Sequence, residues 1–230
     1  MLRSWIPQDK LEMFYLCGNI NPNAIYIIEQ KPKKIVSYSL SKNPNAIELL
    51  KKYPNKIDWR SLSYNSNAIE LLTNNPDRVD WYNLSRNPNA ISMIEQNLDK
   101  VCWQSLSENP NAIHILEREP EKINWQSLSR NPNAIHILEK NLEKVDWWYL
   151  SLNPNAILIL GNNSEKINWK SLSFNPNAIH LLEKNPDRVD WHNLSANPNA
   201  IHLLEQNQDK INWEYISSNP SIFEEEYACK

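Results

Sequence analysis

An all-α solenoid of about ten stacked repeats is the fold class that the sequence predicts, on three observations. The segment Asn-Pro-Asn-Ala-Ile, once Asn-Ser-Asn-Ala-Ile, recurs every 22 residues from Asn21 to Asn197 without an insertion. A tryptophan keeps the same period from Trp59 to Trp213. Between these marks, apolar residues follow helical spacing. Each repeat is numbered from its first Asn, as positions 1 to 22.

The first half of each repeat predicts an amphipathic helix of two to three turns. Asn at position 1 suits an N-cap, and Pro at position 2 suits the first helical residue. Apolar residues at positions 4, 5, 7 and 8, such as Ala134 and Leu138, share one face at about 100° per residue. Pro at position 12 in several copies, for example Pro54, predicts that the helix ends near position 11.

The second half of each repeat predicts a further short α- or 3₁₀-helix. Asp or Asn at position 16 is suited to its N-cap, and Trp and Leu at positions 17 and 20 lie on one side. Ordering costs about 1.5 kcal/mol per residue, more than a 22-residue unit can offset alone, so the repeats must stack. The alternative fold is a leucine-rich-repeat-like horseshoe. Polar residues at position 18, such as Arg60 and Lys170, do not fit its alternating strand pattern.

The ends of the chain differ from the repeats and predict caps. Residues 1–20 form an N-terminal cap, because Gly18 and its neighbours break the register. Residues 21–218 form the repeat solenoid. Residues 219–230 begin a repeat and then become acidic, which protects an apolar stacking face and predicts a C-terminal cap.

Composition excludes several classes of protein. Two Gly among 230 residues leave no phosphate-cradling loop or dinucleotide fingerprint, so no cofactor is expected. A net charge of -3 lacks the basic excess of a nucleic-acid binder. The three cysteines form no paired framework, which favours a reducing compartment. The absence of a long apolar stretch predicts neither secretion nor a membrane span.

Catalysis and metal binding are not expected. Cys102 replaces the position-16 cap and has no His in its half-repeat to act as a base. Position 6 carries four histidines in separate repeats, which are His114, His136, His180 and His202. Neighbouring copies lie about 8 to 10 Å apart, too far to chelate one ion. We therefore predict a non-enzymatic protein with no metal site.

The recurring residues are interpreted as structural. Trp at position 17 is expected to fill the core with its indole N–H partnered, and Asn to form caps or an amide ladder. Position 14 is Lys or Arg in every repeat, for example Lys100 and Arg188. A row of cations is suited to the phosphates of a nucleic acid, so a nucleic-acid-binding solenoid is an alternative function. Pairing with the acidic residues at positions 13 and 9 is the favoured interpretation.

Recognition is expected at the positions that vary between repeats, namely 6, 10, 18, 19 and 22. Aromatic and Arg side chains are the usual anchors of protein interfaces. The densest departure from the repeat consists of Trp148, Tyr149, Leu152, Leu158 and Phe174. Further candidate partner-binding residues are Tyr64, Tyr82, Arg86, Arg130 and His192. Binding of another protein is favoured, while self-association and local packing remain alternatives.

The Asn-Pro-Asn-Ala-Ile/Asp-Trp unit, from Asn21 to Ile222, resembles an uncharacterised repeat family of giant DNA viruses. Its layout is also similar to leucine-rich repeat variant solenoids, in which an Asn-Pro-Asn segment opens an α-helix that alternates with a 3₁₀-helix. The first resemblance implies a viral scaffold or interaction protein, located in the host cytoplasm or the virion. It implies no catalytic residues.

Overall fold

The structure is a computed structural model that describes residues 13–216, 219 and 221. Within these residues every regular element is an α-helix or a 3₁₀ turn, and no β-strand occurs. The helices form a regular series of stacked contacts, which confirms the predicted α-solenoid. The horseshoe alternative is wrong for the described repeats, because it needs a strand in each repeat.

The α-helices alternate between two kinds. The even-numbered helices lie in the first halves of the repeats: α2 (Pro22–Glu29), α4 (Ile47–Lys52), α6 (Ile69–Thr73), α8 (Ile91–Glu95), α10 (Ile113–Arg118), α12 (Ile135–Glu139), α14 (Ile157–Asn162), α16 (Ile179–Glu183) and α18 (Ile201–Glu205). The odd-numbered helices are α1 (Met13–Gly18), α3 (Ser37–Lys42), α5 (Trp59–Tyr64), α7 (Trp81–Arg86), α9 (Trp103–Glu108), α11 (Trp125–Arg130), α13 (Trp147–Leu152), α15 (Trp169–Phe174), α17 (Trp191–Ser195) and α19 (Trp213–Ile216).

The even-numbered helices after α2 are shorter than predicted. They begin at position 5, and the preceding Asn-Pro-Asn-Ala segment forms a tight turn or a 3₁₀ turn, as in Pro44–Ala46. The Asn43 side chain accepts from the Asn45 N–H (3.0 Å), and the Asn43 carbonyl accepts from the Ala46 N–H (3.1 Å). The next repeat binds the Asn43 and Pro44 carbonyls through its own asparagines. These tight hydrogen bonds delay the α-helix by one turn.

The odd-numbered helices that follow an Asp or Asn at position 16 are capped as predicted. Asp58 Oδ1 accepts from the Ser61 N–H at 2.8 Å, and six further repeats make the same bond. Proline at position 12 opens a 3₁₀ turn at positions 12 to 14, as in Pro54–Lys56, because its ring presets the helical φ. Each described repeat therefore consists of two short helices separated by tight turns.

A ladder of buried asparagines joins successive repeats. In the repeat that begins at Asn175, the Asn175 Nδ2 donates to the carbonyls of Asn153 (2.9 Å) and Ser151 (3.0 Å). Its Oδ1 accepts from the Asn177 N–H (3.0 Å), and Asn177 Nδ2 donates to the Pro154 carbonyl (2.9 Å). Both amide groups of Asn-Pro-Asn thus bind the preceding copy of the same segment. This bonding explains why both asparagines recur.

Serine at position 21 extends the ladder to the odd-numbered helices. Ser173 Oγ donates to the Trp169 carbonyl (2.8 Å) and accepts from the Asp190 N–H of the next repeat (2.9 Å). Buried backbone groups are costly unless they are paired. One hydroxyl here satisfies two of them, so a small donor–acceptor side chain is required at this position.

Three recurring residues form the centre of the core, and apolar residues at positions 7 and 15 are also buried in several repeats. Leu at position 20, Ala at position 4 and Leu or Ile at position 8 are buried, as Leu172, Ala178 and Leu182 illustrate with 0% exposure each. The recurring Trp is only half-buried in most repeats. The prediction that it fills the core is therefore wrong for those repeats, and its actual contact is described below.

The chain divides into two compact units. Unit 1 is Met1–Lys122 and unit 2 is Ile123–Lys230. In unit 1 the odd-numbered helices α1, α3, α5, α7 and α9 stack in sequence order. In unit 2 the helices α11, α13, α15, α17 and α19 do the same.

The expected caps are only partly described. In the N-terminal segment, α1 packs on α3 and occupies the place of a preceding odd-numbered helix. Asn43 Nδ2 donates to the carbonyls of Cys17 (3.0 Å) and Asn19 (2.8 Å), so the ladder starts within residues 1–20. The expected C-terminal cap, residues 219–230, lies outside the described residues except Asn219 and Ser221.

Cys102 stands at position 16 but does not cap its helix, and it offers a stabilising substitution. It makes no side-chain bond to the α9 backbone, and the nearby Ser105 Oγ is buried without a hydrogen-bond partner. We expect Cys102→Asp to raise the free energy of unfolding by about 1 kcal/mol, because an Asp acceptor caps the helix. Urea denaturation measures the change. Cys102→Ala, which adds no acceptor, is the control, and equal midpoints for both variants would contradict the capping account.

Candidate partner-binding face

Positions 18 and 22 of the odd-numbered helices share one surface, here named the 18/22 face. Residues four apart lie above one another on a helix. On α3, Lys42 Nζ lies 4.2 Å from the centre of the Tyr38 ring. On α7, the Arg86 guanidinium lies 5.0 Å from the Tyr82 ring. The aromatic ring at position 18 thus supports the cation at position 22.

In unit 2, one part of the 18/22 face is apolar, on α13 and α15. Trp148 on α13 and Phe174 on α15 are each 48% exposed, and Leu152 is half-buried at the end of α13. Tyr149 contacts Trp148 edge to face, with ring centres 4.6 Å apart. Leu152 and Phe174 occupy position 22 in neighbouring repeats, and their helices α13 and α15 pack against each other. These four residues form the aromatic patch.

Leu158 belongs to a different row. It lies on α14 at position 6 and is 78% exposed. Position-6 side chains face position 9 of the preceding repeat, because His114 Nε2 lies 3.1 Å from Glu95 Oε1 and His202 Nε2 lies 3.0 Å from Glu183 Oε1. The sequence prediction grouped Leu158 with the aromatic patch, but the structure assigns it to the surface of the even-numbered helices.

The other candidate residues are divided between the two units. In unit 1, Tyr64 and Tyr82 are exposed on α5 and α7, next to Arg86 at the end of α7. In unit 2, Arg130 is exposed at the end of α11. His192 on α17 contacts the Tyr215 ring, with centres 3.9 Å apart and the ring planes tilted by 49°. All five lie at position 18 or 22, so all belong to the 18/22 face.

A groove of about 610 Å³ crosses the 18/22 face of unit 1. It follows position 22 through four successive repeats, from α3 to α9. The residues that line it are Lys42, Tyr64, Asn83, Arg86, Pro88, Glu108 and Pro110. The sequence identifies the position-22 side chains as variable but does not reveal that the position-2 prolines Pro88 and Pro110 also line the groove.

Arg86 is the best-defined polar group of this groove. Its Nη2 lies 2.8 Å from Glu108 Oε2, and both side chains are only partly exposed. Arg86 Nε is buried and has no hydrogen-bond partner. A guanidinium carries five N–H donors and the Arg86 side chain is partly exposed, so its outer N–H groups can also bind a ligand carboxylate.

The basic row at position 14 covers the tryptophans. Six cations lie over the indole of the preceding repeat: Lys100 on Trp81 (5.4 Å), Lys122 on Trp103 (4.8 Å), Lys144 on Trp125 (4.7 Å), Lys166 on Trp147 (5.0 Å), Arg188 on Trp169 (5.2 Å) and Lys210 on Trp191 (4.5 Å). Such cation–π contacts contribute about 0.5 to 1 kcal/mol each. In these repeats this contact replaces the predicted pairing of the position-14 cation with the acidic residue at position 13. The contact explains why the cation and Trp recur together.

Potential metal ligands are dispersed over the described part of the chain. Among the described residues no group of three or more His, Cys, Asp or Glu could hold a metal ion. Burial raises the pKa of the Cys17 thiol, against a weaker opposing hydrogen bond from the Val36 backbone. None of the described helices has the length and apolar character that a bilayer span requires.

Comparison with known proteins finds no family model, no curated protein and no solved structure that matches the chain. The resemblance to the giant-virus repeat family therefore stays a prediction.

Proposed function

We propose that the protein is a non-enzymatic repeat scaffold that binds another protein through its 18/22 face. One observation carries this proposal. The recurring side chains are engaged in stacking the repeats, whereas positions 18 and 22 expose aromatic and basic side chains that the stacking does not require. Trp148 and Phe174 are the clearest examples, since each is about half exposed.

The chemistry of the 18/22 face supports a protein partner. Aromatic and Arg residues dominate interface energies because they bury large surfaces and donate several hydrogen bonds. The aromatic patch of unit 2 combines Trp148, Tyr149, Leu152 and Phe174 on two neighbouring helices. Exposed apolar groups of this kind mark interaction sites.

Self-assembly is the second candidate, since the aromatic patch could equally cover a second copy of the chain. A nucleic-acid-binding solenoid is less well supported. It would use the position-14 cations, but six of these lie over tryptophan rings. The repeat resemblance adds the further proposal that the partner is a virion component or a host factor, encountered in the virion or the host cytoplasm.

A double substitution of the aromatic patch tests the proposed function. We expect Trp148→Ala with Phe174→Ala to abolish association with the partner, or self-association, because the pair supplies the exposed apolar surface. The thermal melt should change little. Affinity purification from infected cells and light scattering measure the two kinds of association.

Glu205→Ala, which removes an exposed polar side chain of α18 outside the 18/22 face, is the control and should retain association. A large loss of thermal stability in the double variant would show that the two rings are core residues. Undiminished association would remove the aromatic patch from the interface.

A further inference from the structure

We propose that the groove of unit 1 binds an extended, acidic peptide segment of the partner protein, through carboxylates that Lys42 and Arg86 hold. This inference rests on the proposed function, because it specifies what part of a protein partner the 18/22 face of unit 1 accepts. It concerns residues of unit 1 only and is independent of the aromatic patch.

The length of the groove matches an extended chain of about eight residues. The groove crosses α3, α5, α7 and α9, which are three helix spacings of about 8 to 10 Å, so it is roughly 27 Å long. An extended chain rises about 3.3 Å per residue, so roughly eight residues fit.

The charges of the groove select carboxylates. Lys42 and Arg86 carry positive charge, and the one negative lining residue, Glu108, is paired with Arg86 at 2.8 Å. Glu108 thus occupies the position that a ligand carboxylate would take. Arg86 also rests on the Tyr82 ring, which fixes the guanidinium plane for bidentate binding.

The spacing of the cations sets a sequence requirement. Lys42 and Arg86 lie two repeats apart, which corresponds to about 16 to 20 Å between their helices. Six residues of extended chain span about 20 Å and return to the same side of the strand. Acidic residues at i and i+6 therefore match the two cations, with apolar side chains at i+2 and i+4 facing Tyr64 between them.

The apolar wall is suited to aromatic or proline side chains. Pro88 and Pro110 present flat, rigid rings, and Tyr64 is about half exposed beside them. A single-stranded nucleic acid would stack on the same tyrosine but brings one phosphate per nucleotide. The lining residues carry a net charge of only +1, from Lys42 and Arg86 against Glu108, which favours a peptide with two carboxylates over a polyanion.

Binding of defined peptides to the full-length protein tests this inference. The probe is the fluorescein-labelled peptide Ala-Glu-Ala-Tyr-Ala-Tyr-Ala-Glu-Ala-amide, followed by fluorescence anisotropy at low salt. Its counterparts carry Gln for both Glu, or Glu residues spaced by three. We expect a dissociation constant below about 1 mM for the first peptide and at least tenfold weaker binding for the counterparts, as loss of a charge pair predicts.

Two variants of the protein are expected to weaken peptide binding, and a third is expected to strengthen it. Arg86→Gln and Lys42→Gln should each weaken binding of the first peptide by about tenfold or more, since each removes a charge partner. Glu108→Gln should tighten binding several-fold, because it frees Arg86 from its internal carboxylate, and a misfolded variant could not produce a gain. The matched controls Arg118→Gln and Glu95→Gln remove an exposed ion pair outside the groove lining (3.2 Å) and should change nothing.

Equal binding of the Glu and Gln peptides, no binding below 1 mM, or weaker binding by Glu108→Gln would each overturn the inference. Displacement of the peptide by oligouridine at equal concentration would also overturn it, in favour of a nucleic-acid groove. Loss of association in the aromatic-patch variant is a separate result. The inference of a peptide-binding groove can therefore be refuted while the proposed function stands.

Discussion

Replacement of Asn175 by Ala is expected to lower the free energy of unfolding by about 3 kcal/mol or more, since three buried hydrogen bonds at about 1 kcal/mol each are lost. The Asn175 side chain is fully buried and bonds the Ser151 carbonyl, the Asn153 carbonyl and the Asn177 N–H. Its removal leaves polar backbone groups without these partners and opens a small cavity. Urea denaturation followed by circular dichroism measures the change.

Two further substitutions distinguish the stabilisation by the asparagine ladder from other effects of replacing an Asn. Asn175→Asp keeps the acceptor for the Asn177 N–H but turns a carboxylate oxygen toward two carbonyl oxygens, so we expect at least as large a loss. Asn177→Ala removes one bond from an exposed side chain and should cost less than about 1 kcal/mol. Equal effects of Asn175→Ala and Asn177→Ala would contradict the ladder.

The fold class, the repeat length and the position-16 caps were predictable from the sequence. Because the period is uninterrupted, it predicts that equivalent residues of successive repeats contact one another. Capping depends on residues that are close together in the sequence. Asp58 and its equivalents are capped as expected because the bond spans only three residues. The general location of the candidate site was also predictable, since variation between copies identifies positions 18 and 22.

The contacts between repeats were not predictable from the sequence. Lys100 reaches Trp81 across 19 residues, and the helical pattern within one repeat contains no information about that geometry. The even-numbered helices are shorter than their pattern implies, because the next repeat uses the Asn43 and Pro44 carbonyls. The groove also depends on contacts between repeats, since position-22 side chains of four successive repeats line it.

Deletion of one complete repeat is expected to be tolerated, whereas deletion of half a repeat is not. Removing residues 65–86 joins Tyr64 to Asn87 and keeps the register. Asn87 then meets the Ser41 and Asn43 carbonyls, which Asn65 binds at 2.9 and 3.0 Å in the intact chain. Removing residues 65–75 instead joins Tyr64 to a 3₁₀ turn and eliminates the capping asparagine. That loss should unfold the neighbouring repeats, because each depends on the stacking of the next.

The urea denaturation of the chain without residues 65–86, followed by far-ultraviolet circular dichroism, examines the interchangeability of the repeats most directly. We expect an unchanged helical signal per residue and a cooperative transition at a modestly lower urea concentration. A chain that loses its helical signal, as the half-repeat deletion should, would show that the repeats are not equivalent stacking units held by one asparagine ladder.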